Sequence, residues 1–169
     1  MSAIQMLLQE LEMEAQTTKR VLERVPNDRL AWKPHDKSMS LGQLALHIAS
    51  MPGAIAAMSQ RSPMQIPKFD QPSAATAAEL IPTLDQSVAH AKEVLGSLDD
   101  AALEKTWRAV DGEREVMAIP VGAVLRSIML NHWYHHRGQL SVYLRQLGVP
   151  VPSIYGPSAD ENPFAVRPN

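Results

Sequence analysis

LRSIMLNHWYHHRGQLSVYLRQLG, residues 125–148, is the stretch on which the reading of this chain turns. Leu125, Met129, Leu140, Tyr143 and Leu147 recur at steps of three and four, the period of an amphipathic helix. His132 and His136 fall in the same register. Gly148 followed by Pro150 is a stop signal, so the pattern predicts a helix from about Pro120 to Leu147. A helix advances about 100° per residue, so positions four apart differ by about 40°. His132 and His136 are therefore stacked one turn apart on the face that should point inward. His135 lies about 100° from His136, on the flank with Asn131 and Gly138. Trp133 stands where the general-base Glu of an HExxH protease motif would be, so that motif is absent.

Three more stripes precede this one. The first runs through Ile4, Leu8, Leu11, Ala15, Thr18, Leu22 and Val25, and Pro26 stops it. The second opens with Ser40 and Gln43, a capping-box pair, and continues through Leu41, Leu44, Ile48, Met51, Ile55 and Met58. Pro52 inside it predicts a kink or a break, because proline removes a helix hydrogen bond. The third should start near Ser73 and carry Ala77, Ile81, Leu84, Val88, Ala91, Leu95 and Leu98, with Pro82 bending it early. Four helices with one apolar face each can bury those faces against one another, so the expected fold is an all-α four-helix bundle. The 26–39 link is long enough to act as a crossover. TWRAVDGEREVMAIP (106–120) reads as a short hairpin around Asp111-Gly112 before the fourth helix. Residues 149–169 should form an irregular tail, and 1–169 a single domain.

Composition narrows the function. Hydrophobic residues are 45% and charged residues 20% of the 169, the balance of a globular chain and not of a disordered one. A net charge of −2 offers no basic stripe for nucleic acid. No continuous run of about 18 apolar residues predicts a membrane span. The N-terminus lacks a signal-peptide pattern, and a cytoplasmic location is expected. Cysteine is absent, so metal ligands must be N or O, and any thiol must come from outside the chain.

By spacing alone, His132 and His136 are either hydrogen-bonded core histidines or a pair of metal ligands. His47, flanking the second stripe by roughly 70°, is the third candidate ligand. Three neutral imidazoles would leave an open position, as in catalytic sites, and they suit Zn, Ni or Fe(II). Around them, Thr18 and Tyr143 are candidate pocket residues, and Gln139 a candidate partner that orients a ligand histidine. Arg137 points off the stripe and reads as surface or interface; His35 and His90 read as structural or solvated. No carboxylate base, Ser-His-Asp set or phosphate loop is evident. The nine methionines are scattered and read as core filler.

VPNDRLAWKPHDKSMSLGQLALHIA (25–49), HWYHHRGQLSVYLRQLGV (132–149) and PSIYGPSADE (152–161) together resemble the DinB-like metal-binding bundle family. The resemblance implies a bundle with a crossover, often paired as a homodimer. It places an open divalent metal site, zinc or nickel before iron, on His47, His132 and His136. Characterised relatives include thiol transferases that use low-molecular-weight thiols such as bacillithiol. A mycothiol-dependent isomerase belongs to the broader superfamily. The expectation is a metal-dependent enzyme acting on small molecules, an S-transferase on electrophiles or a hydrolase. The alternative is a non-catalytic, stress-associated metal-binding dimer. Pro52-Gly53, one turn after His47, departs from the expected pattern.

Overall fold

The computed structural model describes residues 2–66 and 71–165. Four long helices pack side by side: α1 (Ala3–Leu22), α2 (Leu41–Ser59), α3 (Leu80–Gly96), and a composite fourth. A short α4 (Asp100–Leu103) follows α3. The composite helix opens as α5 (Val121–Ala123), passes through a π-helical stretch (Val124–Asn131), and continues as α6 (His132–Gln146). The fold is mostly helical but not all-α. A three-stranded sheet in the order β1-β2-β3 is built from Met64–Gln65, Thr106–Asp111 and Arg114–Pro120. The hairpin of β2 and β3 is antiparallel, and Gly112 takes a φ of 61° in its turn, where a side chain would be strained. The strand that the sequence does not announce is β1. It is two residues long and pairs parallel with β2, Met64 opposite Ala109, a partner far away in sequence.

Helix starts follow local chemistry. Ser2 with Gln5 and Ser40 with Gln43 each form a complete capping box, satisfying backbone donors that helix ends leave free. The third helix begins at Leu80, after a 3-10 turn at Ala77–Glu79, and not near Ser73. Pro82 therefore sits in the first turn, where its missing N–H would have had no partner anyway.

Pro52 does not break α2, which runs unbroken from Leu41 to Ser59. Proline at 52 leaves the Ile48 carbonyl without its usual donor four residues on. The indole Nε1–H of Trp133 supplies it, at 2.9 Å. Gly53 N–H donates to the Ser87 hydroxyl (2.8 Å), and that hydroxyl donates to the Ser50 carbonyl (2.9 Å). Neighbouring helices thus supply the bonds around the proline. Gly53 also lets α3 approach closely: a Cβ there would lie 2.7 Å from the Ser87 carbonyl oxygen.

The core gathers Leu11 and Leu22 from α1, Leu44 and Ile48 from α2, and Leu84 and Leu95 from α3. The fourth helix adds Leu125, Met129, Trp133 and Leu140. By length and mean hydropathy (1.3 over an 18-residue window) α2 would qualify to cross a membrane, although its sequence has no unbroken apolar run. Its buried positions lie on several sides because α3 and the fourth helix enclose it. In the π-helical stretch the buried pairs Val124 with Met129 and Leu125 with Leu130 are five apart, the π period. The α-helical period returns at His132.

Residues 149–165 contain no helix or strand, as expected; 166–169 of the anticipated tail lie outside the described residues. This segment is bound back to the helices. Asp160 accepts from Val151 N–H (2.8 Å) and pairs with Arg145. Glu161 pairs with Arg20 and Arg24 of α1.

Candidate metal centre

The three histidines come together from two helices. His47 projects from the middle of α2; His132 and His136 stand one turn apart at the start of α6. Ring centroids are 4.7 Å apart for His47 and His136, 4.4 Å for His132 and His136, and 5.8 Å for His47 and His132. One ring nitrogen from each lies within 4.8 Å of the others. The Nε2 atoms of His132 and His136 are 2.6 Å apart. Two imidazole nitrogens at that distance need a proton or a cation between them, because two lone pairs repel.

Burial grades the three. His136 is 8% exposed, while His47 and His132 are each partly exposed. Desolvation is the largest influence on each and holds all three below the ordinary histidine pKa. For His136 it outweighs the opposing hydrogen bond from Gln139, and the neighbouring histidines push the same way, to about 4. All three are therefore held in the neutral form that a metal requires. Gln139 Oε1 lies 2.7 Å from His136 Nδ1. A carbonyl oxygen only accepts, so Nδ1 carries the proton and Nε2 is left to face the other histidines. The donor set of three neutral nitrogens, one oriented by a carbonyl oxygen, fits a divalent transition ion with an open position.

Gln139 and Tyr143 both line a cavity beside His136, and the Tyr143 hydroxyl reaches the Met39 carbonyl (3.3 Å). Thr18 does not line it. It is fully buried, and its hydroxyl accepts from Arg137 (3.1 Å). Arg137 is 1% exposed and not on the surface. It pairs with Glu14 (2.6 Å), bonds the Tyr155 hydroxyl, and lies over the rings of Tyr134 and Tyr155. The exposed His135 lies off the inner face; His90 stands near Glu93 on the outside of α3.

A residue that periodicity alone does not single out is Trp133. Its side chain is fully buried, and its bond to the Ile48 carbonyl ties α6 to α2 at the residue next to His47. The signal for it in the sequence is a tryptophan between two inward histidines, with a proline four residues after Ile48.

The DinB family description matches residues 1–163, nearly the whole chain. The chain belongs to the DinB family. The uncharacterised protein YrdA of Bacillus subtilis is 28% identical over 158 residues, covering 91% of this chain and 89% of YrdA. A DinB-like protein of Bacillus cereus has a similar solved structure: TM-score 0.69 and 25% identity, over 88% of this chain and 95% of that one. The DinB-like protein YjoA of Bacillus subtilis shares the fold, with a TM-score of 0.65 and 19% identity over 88% of this chain and 96% of YjoA. A histidine triad open to a cavity, in this family, fits a metal-binding protein.

Proposed function

We propose that this DinB-family chain is a metal-dependent S-transferase, joining an external low-molecular-weight thiol to an electrophilic small molecule. The observation that carries the proposal is the all-nitrogen triad of His47, His132 and His136 in a chain with no cysteine. Zinc or nickel is the expected ion, with iron the alternative. When bound to three neutral imidazoles the ion keeps its full charge and favours a thiolate over a thiol. The chain itself holds the histidines neutral by burial and orients His136 through Gln139. In the transfer the thiol proton passes to solvent, sulfur bonds to the electrophilic carbon, and the leaving group departs with the bonding pair. A cytoplasmic homodimer whose other partners are small molecules completes the proposal. The exposed Met6 and Met13 on the outer side of α1 support the pairing.

The test is to purify the protein, determine its metal by elemental analysis, and measure conjugation by the metal-loaded, metal-free and His136→Ala proteins. Several thiols, bacillithiol included, are tried with several electrophiles. Acceleration by the loaded protein alone is the expected result. Ester or amide cleavage without conjugation would make it a hydrolase, and neither activity would leave a non-catalytic metal-binding protein.

A further inference from the structure

Two cavities of opposite chemistry flank the three histidines. On the His136 side is a chamber of about 520 Å³, lined by Lys33, Asp36, Lys37, Gln43, Gln139 and Tyr143. Apart from Tyr143, each of these carries a charge or an amide at its tip. On the His47 side is a chamber of about 550 Å³, walled by Met51, Ala54, Ile55, Met58 and Met64. Its lining is chiefly apolar, and methionine side chains adapt to apolar shapes of different outline.

Helix α2 carries the boundary. Gln43 faces the first chamber, His47 follows one turn later, and Met51, Ile55 and Met58 continue into the second. At about 1.5 Å per residue the run from Gln43 to Met58 spans roughly 22 Å, long enough for two small molecules end to end with the histidines between them. Lys33 and Lys37 are exposed and make no ion pair among the described residues. Two ammonium groups against the single carboxylate of Asp36 leave the first chamber net positive, before any charge at the histidines is counted. An anion placed there gains from that field, and in the methionine chamber it would only lose its hydration.

We infer that the two chambers are separate subsites, the Lys33–Lys37 chamber for a molecule bearing a carboxylate or similar anion and the methionine chamber for an apolar molecule. The inference rests on the proposed function in treating the histidines as the point where the two meet. It assigns recognition to residues that do not bind the ion: Lys33 and Lys37 on one side, Met51 and Met58 on the other.

The experiment reads binding and needs no turnover. Zinc-loaded protein labelled with nitrogen-15 is titrated with succinate and, separately, with benzyl alcohol. Succinate should shift the amide signals of Lys33, Lys37, Gln43 and Gln139, and benzyl alcohol those of Met51, Ala54, Ile55 and Met58. Each should bind with unchanged affinity when the other is saturating. The double substitution Lys33→Gln/Lys37→Gln should weaken succinate at least tenfold and leave benzyl alcohol alone, whereas Asp36→Asn should strengthen succinate. Met58→Gln should weaken only benzyl alcohol. Mutual competition, or succinate affinity untouched by the lysine substitutions, would overturn the inference. Conjugation without separate subsites would leave the proposed function standing and this inference refuted. Separate subsites without conjugation would do the reverse.

Discussion

His136 is the most buried of the triad and the one with an orienting partner, so single-residue effects should be largest there. His132→Ala and His136→Ala should each remove most of the bound metal, His47→Ala nearly as much, and His135→Ala none, by elemental analysis. Gln139→Leu leaves the His136 Nδ1–H without an acceptor. Its metal affinity should drop about 10–100-fold in chelator competition, and Gln139→Glu, which keeps an acceptor, should recover much of that. The pH dependence follows from the lowered pKa of His136. It titrates near about 4 in the folded chain against 6.5 ordinarily, so between those values the unfolded chain binds more protons. The contribution to stability is complete above about 6.5 and is lost as pH falls toward about 4. Melting of the metal-free protein should therefore fall across that window, and more shallowly in His136→Gln.

Among the helices, α2 and α6 decide the site's geometry, and the Pro52–Ile48–Trp133 arrangement ties them. Trp133→Phe keeps a ring but removes the donor, leaving a buried carbonyl unpaired at a cost of about 1–3 kcal/mol. Thermal melts should report that loss. Metal affinity should drop with it, because His47 is adjacent to Ile48. Trp133→Phe metal affinity equal to the parent would show that packing alone sets the register. On the far side of α2, Gly53→Ala would force α3 outward, since Ser87 backbone and not a flexible tip stands in the way. Arg137→Ala should cost about 3–5 kcal/mol by denaturant unfolding, because it strands Glu14, only 13% exposed, without its partner. It should also release Tyr155 and make the 149–165 segment more open to proteolysis.

For the molecule as a whole, metal acts as a ligand of the folded state alone. Free ion at about 1,000 times its dissociation constant stabilises by about 4 kcal/mol. At about 2–4 °C per kcal/mol for a chain of this size, chelation should lower the melting temperature by on the order of 10 °C. His132→Ala should melt at the same temperature with and without chelator. Light scattering should give twice the chain mass of 18.6 kDa for the proposed homodimer. Met13→Lys, placing charge on the exposed side of α1, should shift it toward one.

Features that depend on neighbours in sequence are legible in the chain itself. The four helical stripes, the Ser40–Gln43 capping box, the Asp111-Gly112 turn and the stacking of His132 over His136 are all set within a few residues. Each rests on a backbone period or a side chain reaching its own helix, and those are local properties. What periodicity within one segment does not carry is the rotation and slide of that segment against another. Arg137 reads as surface because its position on α6 lies off the apolar stripe. It is buried because α1 brings Glu14 and Thr18 to meet it from more than a hundred residues away. Pro52 reads as a break, and it is tolerated because α6 and α3 lend the hydrogen bonds that α2 lacks. The strand at Met64 exists only because β2 lies beside it. The approach of His47 to the other two histidines is of the same kind: residue type and helical face are written in the chain, but a separation of a few ångströms between two helices is a property of how they pack.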